Sequence, residues 1–277
     1  MMMPKKGIDV SSWQGTIDWA TVKPNIDFAI IRTGYGNNNI DNQFFRNANE
    51  CSRLGIPFGV YWFSYALNEK QAKEEADYVC NAVAKYNLSY PICYDFEYDS
   101  TNYATKNGIT ITKPLMVAMA KAFLNRVEER GYFATLYSNP DYLSKGFSEL
   151  ISQYDLWLAH WGISQPSQSC GIWQHRSDGT VKGINGNVDM NYAYKDYHTL
   201  IANMHKGNGT SRNNEKETNV NDKLEKLKQE KWKQYYKLAQ EVWQGKWGSG
   251  SARKSALQNK GYDYDFVQAI VNLMTVK

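Results

Sequence analysis

Over residues 1–200 the apolar positions fall into short runs of strand length, separated by segments where they recur every three or four residues. Gly7 to Gly15 opens as a strand and turns at Gly15, and Phe28 to Gly36 is an apolar run with a β-branched centre. Asp41 to Leu54 places Phe44, Phe45, Ala48 and Cys51 at helical spacing and stops at Gly55, after which Pro57 to Tyr65 reads as a third strand. A charged, alanine-rich helix over about Glu69 to Lys85 leads into the run Tyr90 to Asp99. Thr112 caps the next helix, with Pro114 in its first turn and Leu115, Met119, Ala122, Phe123 and Val127 as its buried stripe up to Gly131. Phe133 to Ser138, a helical turn over Pro140 to Lys145, Asp155 to Trp161, Gly171 to His175 and Val188 to Asn191 complete the pattern. Strands apolar on both faces and alternating with helices predict a parallel sheet wrapped by helices. About eight of them in roughly two hundred residues predict an irregular, α/β, TIM-like (β/α) barrel with its late helices short or missing.

After Tyr197 the texture changes. Residues 201–222 are polar and rich in Gly and Asn with no apolar period, which predicts a linker between a catalytic-size domain over 1–200 and a module over 223–277. In that module Leu224, Leu227, Trp232, Tyr235, Ala239 and Val242 keep helical spacing. Ala252 to Asn259 and Asp263 to Met274 follow, predicting three small helices.

Candidate chemistry sits at strand ends, where a barrel places its active site. Tyr94-Asp-Phe-Glu97 ends an apolar run on two acids; in a strand, Asp95 and Glu97 share one face with Cα atoms roughly 6–7 Å apart, while Phe96 points the other way. A solvated loop would expose both acids to no purpose, and isolated acids at strand ends are often caps. Asp9 and Asp189 lie at similar positions on other strands, however, accompanied by Tyr35, Tyr61, Tyr137, Trp157 and Gln174, as core or as a sugar-lining wall. Clustered acids also suit a divalent metal, but no histidine stands at ligand spacing from one, His160 having aromatic neighbours; no metal and no cofactor are expected.

Composition narrows the partners. Aromatics make up 14% of the chain, including nine Trp and twenty Tyr, more than a core alone asks for and suited to stacking on sugar rings. A net charge of +4 is too mild to argue for nucleic acid and is compatible with an anionic wall polymer. Cys51, Cys80, Cys93 and Cys170 show no paired spacing and read as free thiols of a protein made in a reducing cytoplasm. Met1 to Gly7 runs into the first strand without an apolar leader, and no stretch reaches membrane-spanning length, so neither a signal peptide nor membrane insertion is expected. A protein acting on a wall would then need another route of release.

Gly7-Ile-Asp-Val-Ser-Ser-Trp-Gln-Gly15, Arg32-Thr-Gly-Tyr-Gly36, Tyr94-Asp-Phe-Glu97, and Trp173-Gln174 followed by Val188-Asp-Met-Asn191 resemble, in order and spacing, the motifs of glycoside hydrolase family 25 muramidases. The resemblance covers about residues 5 to 195. It implies cleavage of the β-1,4 bond between N-acetylmuramic acid and N-acetylglucosamine in peptidoglycan glycan strands, with Asp9, Asp95, Glu97 and Asp189 as the acids. Trp247-Gly-Ser-Gly250 and Gly261 to Gln268 resemble the Cpl-seven type of cell-wall-binding repeat, with Trp247, Arg253 and Tyr264 as candidate contacts; Trp247 equally suits the plug of a tiny core. These resemblances imply a phage endolysin or autolysin. An inactive wall-binding protein and a chitinase-type hydrolase using the same acid pair are the alternatives. Glu97 is expected to act as general acid, with Asp95 charged beside it and Asp9 and Asp189 supporting them.

Overall fold

The computed structural model describes residues 3–207 and 234–275. The chain divides into two compact units, Met1–Gly209 and Thr210–Lys277.

In the first unit eight strands form a closed ring. They are β1 (Lys5–Val10), β2 (Phe28–Tyr35), β4 (Phe58–Phe63), β5 (Ile92–Asp95), β6 (Ala134–Ser138), β7 (Asp155–Ala159), β8 (Ile172–Gly179) and β9 (Val188–Ala193), while the two-residue β3 (Asn39–Ile40) folds back on β2. All neighbours from β1 round to β8 pair in parallel, as the two-faced apolar runs predict. The exception is β9, which is antiparallel to both β8 and β1, so the ring closes on a reversed strand rather than on a wholly parallel sheet. The β8–β9 connection is too short for a helix, and a hairpin can only reverse direction.

Helices cover the outside: α1 (Trp19–Val22), α2 (Phe44–Leu54), α3 (Glu69–Val83), α4 (Tyr98–Lys106), α5 (Lys113–Glu129) and α6 (Pro140–Lys145). Thr112 caps α5 by accepting from the Leu115 N–H, with Pro114 in the first turn, and Gly55 ends α2 in the left-handed region at φ 67°. One apolar cluster, including Trp19, Phe44, Trp62, Tyr94, Phe96 and Phe123, lies between ring and helices. A second fills the barrel with Phe28, Ile30, Tyr90, Cys93, Tyr137, Trp157 and Ile172.

Helix α7 (Tyr197–Gly207) extends past the expected boundary at 200 because it is a plug. Tyr197 is fully buried, packs on Tyr90 and Phe133 at ring-centroid distances of 5.4 and 5.8 Å, and donates to Asp155 Oδ2 at 2.5 Å; Ile201 follows it into the barrel cluster. Texture alone could not reveal this, since two buried residues among the eight from Tyr197 to Met204 leave that stretch looking polar.

In the second unit the described helices are α8 (234–243), α9 (Gly250–Asn259) and α10 (Tyr264–Thr275). Tyr235, Leu238, Ala239, Val242, Leu257, Val267, Ile270 and Val271 form its core. Leu224, Leu227, Trp232 and most of the expected linker lie outside the described residues. Cys51, Cys80, Cys93 and Cys170 are free, the first three buried. Among the described residues no helix is long and apolar enough to cross a membrane.

Candidate active site

Four carboxyls meet at the C-terminal end of the ring as two hydrogen-bonded pairs. Asp9 and Asp189 stand directly opposite each other across β1 and β9, and their side chains hydrogen-bond. Asp95, the last residue of β5, hydrogen-bonds the Glu97 carboxyl. Glu97 is not on the strand, as strand periodicity would have it. It is the N-cap of α4, its backbone N–H donating to Ser100 Oγ at 3.1 Å while its carboxyl accepts from the Ser100 N–H. The sharp turn from strand to helix still brings the two acids together and sends Phe96 outward into the ring–helix core.

Asp9 is held in a way that fixes protons. The indoles of Trp157 and Trp161 can only donate. Trp157 Nε1 donates to Asn191 Oδ1 at 2.8 Å, and Trp161 Nε1 donates to Gln174 Oε1 at 3.1 Å, where Tyr137 Oη also donates at 3.2 Å. Both amides must therefore turn their NH2 groups to Asp9 Oδ2, at 2.7 Å from Asn191 and 2.9 Å from Gln174. Two donated N–H bonds favour the charged form of Asp9, which makes Asp189 the more readily protonated member of the pair. Burial pushes Asp9 up to about 6, opposed by the two amides, and pushes Asp189 up to about 8, helped by the Asp9 charge.

Asp95 is buried, and its Oδ1 has no hydrogen-bond partner. Burial first and the Glu97 charge second raise it well above the ordinary carboxylate range; burial also raises Glu97. Two touching carboxyls cannot both be charged at little cost, which favours a proton held between them. Glu97 is the half-buried member and opens to the outside.

The other expected residues divide by depth. Trp157 is 1% exposed and Tyr137 7%, both inside the barrel in edge-to-face contact at 4.7 Å, so Trp157 supports the site from below and cannot line an opening. Gln174 is buried as the link to Asp9, and Tyr61 packs on Trp157 at 6.1 Å. Tyr35 is exposed and borders a cleft of about 560 Å³ with Trp13, Arg32, Phe63, Tyr65 and Asp99. Arg32 is fixed there by Asp41 Oδ2 at 2.8 Å and Ser12 Oγ at 2.9 Å. A β-bulge between Arg32 and Gly34 leaves no room at Gly34, where a Cβ would lie 2.4 Å from Asn39 O. Asn191, Trp161, Trp13 and Tyr65 were missed as site residues; Asn191 was within reach, being two residues from Asp189 and hence on its face of the strand.

In the second unit Trp247 is half-buried, donates to Glu241 Oε2 at 3.0 Å and meets Tyr262 edge-on at 6.2 Å, with Lys260 above its ring. Arg253 donates twice to Gly248 O and once to Gln268, so its guanidinium is built into the fold, and Tyr264 lies under Lys254.

Paired carboxyls at the mouth of a TIM-like barrel are an arrangement suited to glycoside hydrolysis. Residues 8–184 match the glycosyl hydrolases family 25, and the chain belongs to that family. Residues 236–274 match the CW_7 repeat. Lysozyme M1 of Streptomyces globisporus is 29% identical over 199 residues, covering 67% of this chain and 66% of that protein. The lysozyme of Streptococcus phage Cp-7 is 26% identical over 231 residues, covering 78% of this chain and 55% of that one. Among solved structures, the modular autolysin LytC of Streptococcus pneumoniae, in complex with a synthetic peptidoglycan ligand, superposes with a TM-score of 0.61 at 30% identity over 69% of this chain and 47% of its own. The chain thus spans about two thirds of Lysozyme M1 and less than half of the autolysin.

Proposed function

We propose that the protein is a muramidase that cleaves the β-1,4 bond between N-acetylmuramic acid and N-acetylglucosamine in peptidoglycan, acting in bacterial lysis as an endolysin. Family membership and the lysozyme relatives support the reaction class. The observation that carries the mechanism is the hydrogen-bonded Asp95–Glu97 pair. Carboxyls in contact are closer than the ~5 Å that separates acid from nucleophile in a two-carboxylate retaining site. Asp95 is thus on the same side of the bond as Glu97 and cannot attack the far face of the sugar.

The proton held by the Asp95–Glu97 pair passes to the leaving oxygen through Glu97, the less buried member. The 2-acetamido oxygen of the muramic residue attacks the anomeric carbon, and Asp95, now charged, accepts the amide N–H and stabilises the cyclic cation. Water then opens that intermediate with Glu97 as base, giving net retention. Asp9, anchored as an acceptor, and Asp189, carrying a proton, set the charge opposite the pair. Tyr35 and the cleft beside it receive the continuing glycan, with Tyr61, Tyr137 and Gln174 as the support beneath. The segment over 1–200, extended by α7 to Gly207, is the catalytic domain; the remainder of 201–222 joins it to the module at 223–277, whose Trp247, Arg253 and Tyr264 region binds wall fragments.

The test is mass spectrometry of borohydride-reduced soluble fragments from purified Gram-positive walls, intact protein against Glu97→Gln. Muramitol-ended products lost in the variant support the assignment. Glucosaminitol ends would move the cut to the other bond, and no products from either protein would leave a wall-binding protein. Cleavage of chitin in preference to walls would make it a chitinase-type hydrolase.

A further inference from the structure

We propose that Trp161 is a saccharide platform at the barrel mouth and, through its indole N–H, a positioning residue for Asp9. This rests on the glycan reading above and names the surface that a pyranose ring contacts.

Three observations converge on Trp161. It is 51% exposed, although its indole N–H is directed inward. Exposed tryptophans normally leave that N–H to water; here it donates to Gln174 Oε1, and Gln174 Nε2 donates onward to Asp9 Oδ2. The backbone beneath is clamped as well: His160 N donates to Gln174 O at 3.1 Å and Trp173 Nε1 donates to His160 O at 2.8 Å, while Gly162 turns the chain away at φ 73°. The result is a flat apolar surface, anchored along its polar edge and open to the outside, two hydrogen bonds from a site carboxyl. Tyr137, which shares the same Gln174 oxygen, feels the charges of Glu97, Asp95, Asp9 and Asp189, so this anchor point is within electrostatic reach of all four acids.

Such a surface fits the C–H face of an N-acetylhexosamine, which meets an indole by apolar contact and needs no hydrogen bond from it. Losing the face and losing the N–H are separable. Trp161→Phe keeps a ring but cannot donate; Gln174 Oε1 is then left with the Tyr137 hydroxyl, which can accept as well as donate, so the amide can turn over and Asp9 loses a fixed donor. Trp161→Ala loses both.

The experiment measures kcat and KM of the full chain and of Trp161→Phe and Trp161→Ala on soluble, uncrosslinked peptidoglycan strands. KM is expected to rise about tenfold in Trp161→Ala and to stay within about twofold in Trp161→Phe. In both, kcat is expected to fall about fivefold, because the N–H is lost in each. Melting temperatures within about 3 °C of the parent would exclude misfolding as the cause. An unchanged KM in Trp161→Ala overturns the platform, and an unchanged kcat in Trp161→Phe overturns the positioning role. An inactive parent chain overturns the glycan reading itself.

Discussion

Asp9 and Asp189 face each other across the antiparallel β1–β9 junction, and two indole N–H groups, acting through Asn191 and Gln174, turn two amide donors onto Asp9 and so favour its charged form. Tryptophan has no acceptor to offer, so the two amides cannot flip without leaving a donor facing a donor.

This arrangement makes Asp9→Asn a mild change. The new amide can offer its oxygen to Asn191 and Gln174 and its NH2 to Asp189, which then ionises in its place. A rate loss of about tenfold is expected, with the fold kept. A loss as large as that of Glu97→Gln, measured by turbidity decline on the same walls, would mean that Asp9 has a direct part in the chemistry.

Glu97→Gln keeps the Ser100 cap but cannot release a proton. The expected fall in rate is about 10²–10⁴-fold, the usual contribution of a positioned general acid. Proton NMR of a fresh digest by the parent should show the β-anomer first; an α-anomer at early times would replace substrate assistance by a water activated at Asp9 or Asp189.

Glu75 on α3 offers a test of stability. It is 2% exposed, accepts from Ser64 Oγ at 2.6 Å and from the Tyr65 N–H at 2.9 Å, and is pushed by burial up to about 8 from the ordinary 4.5. The folded chain therefore keeps a proton that the unfolded chain releases above its ordinary value, and the stability this gives is lost as pH rises towards 8. Asp9 and Asp189 act in the same direction. The melting temperature should fall between pH 5 and pH 8.5, and less steeply in Glu75→Gln, which should gain on the order of 2 kcal/mol at the alkaline end. Parallel curves for the two proteins would refute this.

A chain ending after 207 should melt as the intact catalytic unit does, whereas one ending after 196 should fail to fold, because it removes Tyr197 and Ile201 from the barrel floor. Loss of these two buried side chains costs roughly 5–8 kcal/mol, comparable with the whole stability of a domain. Circular dichroism melts of the two truncations decide it.

Much of this architecture was legible in the sequence. The apolar runs located the eight strands, though with the ends of β1, β5 and β8 several residues from where they fall, and Thr112, Pro114 and Gly55 marked helix ends. The direction of β9 was not legible, because alternation along a strand is the same read either way. Nor was α4, whose only buried residues are Ser100 and Ala104, too faint a stripe to announce a helix and so to move Glu97 off the strand. Depth was hidden as well. Trp157, Ala159 and Trp161 alternate onto one face, yet the first is sealed inside the barrel and the last stands in the open, a distinction made by the ring rather than by spacing.

The reversed β9 also settles where the chain enters and leaves the ring. Lys5 pairs with Ala193, so both ends of the barrel meet on the floor, on the far side from the acids. A circular permutant joined from the end of α7 to the start of β1 and opened in a mouth loop would keep every strand neighbour and the α7 plug. Cargo fused at that seam would leave the cleft unobstructed.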